Sequence, residues 1–147
     1  MLFTERQSGS DHGIIIKLEL APSLELVQKL TGSYDEPHIR WLRLNTELDF
    51  FYIISYTALF FFAFEGLLER FSTTGKLKLL VFLAAIPGIF DVVENLFLLN
   101  FLNHDFRTPY FSIYYFSVHI KWALVCSFSF LALVQLGLIL RDKFLAK

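Results

Sequence analysis

The chain has 147 residues, of which 55% are apolar and 18% charged, with a formal net charge of −1 and a mean hydropathy of +0.53. An average soluble domain is about 45–50% apolar and about 25% charged, so this composition favours a single membrane domain. The near-neutral charge, without a basic stripe, argues against nucleic acid as a partner, and the one cysteine, Cys126, excludes an intrachain disulfide.

Residues 1–34 are expected to form a polar N-terminal segment with one short amphipathic helix. Residues 1–13 are polar and lack a basic start followed by an apolar run, which argues against a cleaved signal peptide. Alternation of apolar and polar residues over 16–20 predicts a short strand or an extended interfacial segment. A helix is predicted over residues 23–30, after Pro22, and it is far too short to span a membrane.

Residues 35–147 are expected to form the transmembrane domain. Asp35 and Pro37 predict the start of its first helix, because an acidic side chain caps free amides and proline suits the first helical turn. This helix is predicted to reach about residue 71, and its part over 50–64 carries no charge. A turn is predicted at 72–75, where serine, threonine and glycine are concentrated.

The second helix is predicted over residues 76–102, with Pro87 and Gly88 inside it. A helix that stopped at Pro87 would contain only about ten residues, whereas a span needs about 20. We therefore expect a kinked helix that continues past the proline. A loop at 103–107 precedes the third helix, which is predicted from Pro109 to about residue 143 and is uncharged over 122–140.

These elements predict an all-α fold, a polytopic membrane bundle of three transmembrane helices with spans at about 48–69, 77–102 and 112–140. The second span is kinked, and the short N-terminal helix caps the bundle. Three helices enclose a pocket poorly, so we expect a homo-oligomer, a membrane partner, or closure by the N-terminal segment. Basic residues near the span ends favour an inner or plasma membrane location with a cytoplasmic C-terminus. These residues are Arg70, Lys76, Lys78, Arg141, Lys143 and Lys147.

Each predicted span carries one polar stripe when its residues are projected at 100° intervals. The stripes are His38, Asn45, Asp49, Tyr52 and Tyr56 on the first helix, Asp91, Glu94 and Asn95 on the second, and Tyr110, Tyr114, Ser117, Lys121 and Gln135 on the third. The charged members lie on the order of 10–20 Å from the shared end of the bundle, at about 1.5 Å per residue. Helices packed about 8–10 Å apart could join these side chains into one polar cluster.

Such a cluster would combine the carboxyl groups of Asp49, Asp91 and Glu94 with the ammonium group of Lys121. A low-dielectric interior does not tolerate the excess negative charge, so either a carboxyl keeps its proton or a cation binds. We expect Asp49 or Asp91 to pair with Lys121. Glu94 then has no partner and is expected to keep its proton, which is the arrangement used in general acid–base catalysis.

The leading hypothesis is an intramembrane site for a small amphipathic, lipid-like or cationic molecule. Glu94 and Asp91 are the candidate catalytic acid and base. The candidate ligand-binding residues are Asp49, Tyr52, Tyr56, Asn95, Tyr114, Ser117 and Lys121, with Asn95 as an orienting group and Lys121 as the counter-ion. The sequence contains no cofactor motif and no pair of histidines at the spacing of metal ligands, such as H-x-x-x-H. Neither a cofactor nor a metal is therefore expected.

Other functions remain open alternatives at this point. The protein could be the subunit of a proton- or cation-coupled carrier, or an accessory protein whose polar residues only hold the helices together. In the accessory case Asn95 would bond across helices and the carboxyl groups of the second span would pair with Lys121. As a separate alternative, Lys121 could extend towards the membrane surface, and the tyrosines at the start of the third helix could form an interfacial aromatic belt. The sequence alone leaves open whether the protein is an enzyme.

Overall fold

The computed structural model describes residues 13–71 and 82–145, and these residues form five α-helices. In chain order they are α1 (Ile14–Glu19), α2 (Leu24–Ser33), α3 (Glu36–Phe71), α4 (Ile86–Leu102) and α5 (Thr108–Leu145). Within these two ranges the chain contains no strand. Residues 1–12 of the predicted polar N-terminal segment, the predicted turn at 72–75 and the predicted start of the second helix at 76 lie outside the described residues, as do Lys78 and Lys147.

Three of the helical segments are long and apolar enough to cross a membrane. They are Glu36–Arg70, Phe82–Leu102 and Thr108–Phe144, with 35, 21 and 37 residues. A helix of about 20 residues spans the hydrocarbon region of a bilayer, so each segment satisfies the length requirement. The predicted fold class, an all-α bundle of three membrane helices, is confirmed.

The predicted helix starts are found where the capping residues occur. The Asp35 carboxylate accepts a hydrogen bond from the backbone amide of His38 at 3.3 Å, which satisfies one of the free donors at the start of α3. The Ser23 hydroxyl does the same for the amide of Leu26 at the start of α2, also at 3.3 Å. These caps are local in sequence, which is why the pattern predicts them correctly.

Pro87 lies at the start of the α-helical part of the second span. Residues 82–85 form a 3₁₀ turn, and α-helical geometry starts at Ile86, so Pro87 lies in the first turn of α4. Proline is well tolerated there because the first-turn amides have no partner within the helix. The helical path does continue through Pro87 as predicted, but the kinked α-helix before it is not observed in the described residues.

The N-terminal segment contradicts the prediction of a strand or extended segment over residues 16–20. Residues 16–19 belong to α1 and Leu20 is its C-cap, because Ile14 and Leu18 are four positions apart and both are buried on one face of a helix. Together with Ala21 and Val27 they join one apolar core with residues of α4 and α5. The contributions of α4 and α5 are Leu98, Phe101, Leu102, Tyr114 and Val118. Helices α1 and α2 therefore close one end of the bundle.

At the opposite end, α3 and α5 are joined by polar contacts. An Arg70 guanidinium nitrogen lies 2.5 Å from a carboxylate oxygen of Asp142. The buried side chain of Gln135 occupies the space beside Gly66, where a β-carbon would otherwise lie. The described ends of α3 and α5 are therefore held together on the side of the bundle away from α1.

Gly88 allows α3 and α4 to approach closely, which gives a first testable expectation. A β-carbon at Gly88 would lie 2.6 Å from Thr57 Oγ1 and 3.2 Å from Ile53 Cγ2, whereas one at Gly137 would meet nothing within 4 Å. Gly88→Ala should therefore lower the free energy of unfolding by about 1–3 kcal/mol through overpacking. Gly137→Ala should be neutral or stabilising by up to about 1 kcal/mol, because alanine favours helix formation.

Denaturant titration of both glycine variants in detergent, followed by circular dichroism, measures this difference. Equal unfolding free energies for Gly88→Ala and Gly137→Ala would show that α3 and α4 do not pack closely at Gly88.

Candidate functional site

The middle of α4 contains three buried polar side chains. Asp91, Glu94 and Asn95 are 5%, 0% and 3% exposed, and their spacing puts them on one face of the helix. That face turns towards α3 and α5, since Asp91 contacts both neighbours, Glu94 contacts α5 and Asn95 contacts α3. The predicted polar stripe of the second span therefore lies inside the bundle.

Lys121 of α5 is the cationic centre of the site. Its Nζ atom lies 2.7 Å from Glu94 Oε2, 3.3 Å from Asp91 Oδ1 and 3.4 Å from Glu19 Oε1. The side chain is 7% exposed, so the ammonium group is taken out of solvent and is stabilised by these three carboxylates. Lys121 therefore does not extend to the surface.

Glu19 is a member of the site that the sequence prediction missed. It is the last residue of α1, and its second carboxylate oxygen accepts a hydrogen bond from the indole N–H of Trp122 at 3.0 Å. Because residues 16–20 were predicted to be extended, the prediction did not place the side chain of Glu19 next to the bundle. The spacing of Ile14 and Leu18 is the signal that could have revealed a buried helix there and placed Glu19 close to the bundle.

Helix α3 contributes two hydrogen bonds to the same region. The Tyr56 hydroxyl donates to Asp91 Oδ2 at 2.8 Å, and the side-chain amide of Asn95 donates to Asp49 Oδ2 at 2.8 Å. Because α3 and α4 run in opposite directions, a later residue of α3 meets an earlier residue of α4. The pairs Asp49 with Asn95 and Tyr56 with Asp91 follow this order.

Of the predicted pairings, that of Lys121 with Asp49 or Asp91 is met by Asp91, and that of Glu94 needs correction. Asp49 is bonded to Asn95, and no ion pair with Lys121 is found among the described residues. Glu94, which was expected to have no partner, makes the shortest contact with Lys121. The reason is the antiparallel register, which sets Asp49 opposite Asn95 and leaves Lys121 facing Asp91 and Glu94. The alternative pairing of Asp91 with Lys121 is present in the structure.

We use the name polar cluster for the side chains joined by these contacts and for Tyr114. The polar cluster consists of Glu19, Asp49, Tyr56, Asp91, Glu94, Asn95, Tyr114 and Lys121. Tyr114 is fully buried and interacts electrostatically with Glu94 and Glu19.

Two predicted ligand-binding residues lie outside the polar cluster. Ser117 is buried on α5 one turn before Lys121. Tyr52 is 66% exposed and reaches the polar cluster only through contact between its ring and that of Tyr56, with centroids 5.7 Å apart.

Several buried atoms of the polar cluster have no hydrogen-bond partner among the described residues. They are Glu94 Oε1 and the hydroxyl of Tyr114, while Asp91 Oδ1 and Glu94 Oε2 have only their ion-pair contacts with Lys121. The polar cluster also contains four carboxyl groups and one ammonium group. Uncompensated charge in a low-dielectric interior is costly, so this arrangement favours a retained proton or a bound group that donates hydrogen bonds.

A separate apolar groove of about 590 Å³ runs between α3 and the N-terminal part of α4. Its walls include Ile53, Phe61, Gly88 and Val92, and none of its lining residues belongs to the polar cluster. The groove and the polar cluster are therefore different surfaces of the same helix pair.

Within residues 13–71 and 82–145, no group of three or more histidine, cysteine, aspartate or glutamate side chains is arranged to hold a metal ion. Comparisons with protein-family models, with curated protein sequences and with solved structures find no match to this chain.

Proposed function

We propose that this integral membrane protein binds the polar head group of a small amphipathic or lipid-like molecule at the polar cluster. The observation that supports this most directly is Glu94. Its side chain is fully buried, and Oε1 has no hydrogen-bond partner among the described residues. A buried polar atom without a partner costs about 1–3 kcal/mol, which a bound donor group would offset.

The surroundings of the polar cluster favour an amphipathic molecule over a water-soluble one. The described spans expose large apolar side chains such as Phe51, Ile54 and Phe130, so the natural surroundings of the bundle are hydrocarbon. A molecule with an apolar tail could remain in the bilayer while its head group contacts the polar cluster. Ligand sites commonly combine such an apolar surface with a few convergent polar groups.

We further propose that Asp91 and Glu94 can exchange a proton with the bound head group. The two carboxyl groups share the ammonium group of Lys121, so one of them can hold a proton while the other stays ionised. Lys121 would balance the ionised carboxylate. Asn95 donates to Asp49, so its role as an orienting group would be exerted on Asp49 and not on the proposed acid and base.

A non-catalytic accessory role is the second candidate. It is favoured by the observation that Asp91, Glu94 and Asn95 each contact a neighbouring helix, as polar residues that hold membrane helices together do. A subunit of a proton- or cation-coupled carrier would use the same carboxyl groups, but would also need a gradient across the membrane.

A ligand test with a matched control separates these proposals. Thermal unfolding in detergent is measured for wild type, Glu94→Gln and the exposed control Glu65→Gln, with total polar lipid extract or with pure synthetic phosphatidylcholine. We expect the extract to raise the Tm of wild type and Glu65→Gln more than the synthetic lipid does, because a ligand that binds only the folded state stabilises it. Glu94→Gln should lose this difference.

Equal lipid effects in all three proteins would support the accessory role and overturn the ligand site. For a carrier, flux in sealed vesicles should depend on a gradient and be absent in Glu94→Gln. If the polar cluster is catalytic, mass spectrometry of the extract should show a new product in detergent, where no gradient exists.

We also propose an orientation in an inner or plasma membrane with the C-terminus in the cytoplasm. Arg70, Arg141 and Lys143 lie close to the described ends of α3 and α5 on the same side of the bundle, which favours that side as cytoplasmic. Protease accessibility of the C-terminus in sealed, right-side-out vesicles measures this orientation, and cleavage from outside would contradict it.

A further inference from the structure

We infer that the head group bound at the polar cluster is a cation, a protonated amine on an apolar chain, and that Glu19 is one of the residues that select it. This inference rests on the proposed function and specifies the class of the ligand. Three observations support it: the excess of hydrogen-bond acceptors over donors in the polar cluster, the buried hydroxyl of Tyr114, and the position of Glu19 beside Trp122.

Apart from the hydroxyl of Tyr114, the donor groups of the polar cluster already contact carboxylates. The ammonium group of Lys121 has three N–H donors and contacts three carboxylates, those of Glu19, Asp91 and Glu94. The hydroxyl of Tyr56 and the amide of Asn95 donate to carboxylates as well. An anionic head group, which needs several donors, would find only the hydroxyl of Tyr114 without a contact to a carboxylate, and it would be repelled by the carboxylates.

The acceptors, in contrast, are in excess. Glu94 Oε1 is buried without a partner, and the fully buried hydroxyl of Tyr114, on a different helix, is also without one among the described residues. Tyr114 and Lys121 are two helical turns apart on α5 and both are buried, so Tyr114 lies on the face of α5 that carries Lys121. A protonated amine supplies up to three donors and a positive charge. It would therefore provide both the hydrogen-bond donors and the positive charge that the carboxylates of the polar cluster lack.

Glu19 differs from the other carboxyl groups of the polar cluster because it belongs to α1, which is not one of the three spans. Its side chain is 12% exposed, and the indole N–H of Trp122 holds one of its oxygens. The ring of Trp122 also lies 5.3 Å from Nζ of Lys121, the geometry of a cation–π contact. Glu19 therefore lies at the edge of an indole ring, and a carboxylate together with an aromatic ring is a combination that binds alkylammonium groups.

The test uses three amphiphiles that share a twelve-carbon tail, namely dodecylamine, dodecanol and dodecanoate. Binding to the full-length protein in detergent at neutral pH is measured by the shift in Tm and by titration of intrinsic fluorescence. We expect dodecylamine to bind wild type about tenfold or more tightly than dodecanol, since a charged hydrogen bond commonly gives such a factor. Dodecanoate should bind more weakly than either.

The matched variants are Glu19→Gln and Glu25→Gln, the latter an exposed glutamate of α2. Glu19→Gln should lose most of the preference for amine over alcohol, and Glu25→Gln should keep it. If Glu19→Gln does not fold, Trp122→Phe is used instead, because it keeps a ring but removes the N–H that holds Glu19. It should weaken binding of dodecylamine more than binding of dodecanol.

Equal affinity of wild type for dodecylamine and dodecanol would overturn the selection of a cation while leaving the amphipathic site in place. Binding of none of the three amphiphiles, together with an unchanged lipid response in Glu94→Gln, would overturn the proposed function as well. Retention of amine preference in Glu19→Gln, or in Trp122→Phe if that variant replaces it, would remove Glu19 from the recognition site.

Discussion

Lys121→Met is expected to lower the free energy of unfolding by about 3–5 kcal/mol, the largest effect of any single substitution in the polar cluster. The ammonium group contacts Glu19, Asp91 and Glu94, and the side chains of Asp91 and Glu94 are 7% and 0% exposed. Methionine keeps a similar length without the charge, so the loss comes mainly from buried carboxylates that no longer have a counter-ion. Denaturant titration in detergent measures the change.

Two further variants test whether the loss of stability in Lys121→Met comes from the buried ion pairs. Lys29→Met, on the exposed face of α2, should change stability by less than about 0.5 kcal/mol. The double variant Lys121→Met with Glu94→Gln should recover part of the lost stability, because one of the carboxylates has been neutralised. If Lys121→Met unfolds at the same denaturant concentration as Lys29→Met, Lys121 cannot be the buried counter-ion of the polar cluster.

Leu18→Ala is the substitution with the second largest expected effect. Leu18 is fully buried in the core that α1 shares with α4 and α5, whereas Leu20, two residues later, is 55% exposed. Truncation of a buried leucine to alanine removes apolar contacts and leaves a cavity, which costs about 2–5 kcal/mol. Leu20→Ala should have little effect on the free energy of unfolding, which makes the two variants a matched pair.

Thermal and denaturant unfolding of the Leu18 and Leu20 variants measure whether α1 belongs to the cooperative unit. Proteolysis of the folded proteins adds a local measurement, since weaker docking of α1 should increase cleavage near residue 20 in Leu18→Ala. Similar stability and similar cleavage of both variants would mean that the N-terminal helices are not part of the core.

The long helices and the members of the polar cluster other than Glu19 could be predicted because they depend on local rules. Asp35 and Ser23 cap the helices they precede, and apolar stretches of sufficient length mark the spans. Angle and depth along an ideal helix then place Asp91, Glu94 and Lys121 on facing sides. These predictions use only the helical repeat and the rise per residue, which vary little between proteins.

The errors arise where tertiary contacts decide between local alternatives. Residues 16–20 fit both an alternating strand and a helix, and burial of Leu18 against α4 and α5 selects the helix. Glu19 was missed for that reason. The pairing of Glu94 with Lys121, and of Asp49 with Asn95, depends on the register of antiparallel helices, which the sequence of a single helix does not determine.

The length of α5 has a consequence for how the polar cluster meets its surroundings. Its 38 residues extend about 57 Å, while the hydrocarbon layer is about 30 Å thick, so nearly half of the helix must stand outside that layer. The uncharged stretch 122–140 is about 28 Å long and matches the layer, which puts Lys121 at the boundary where lipid head groups begin. Protons and small cations could then exchange with interfacial water without crossing the oily interior of the bilayer.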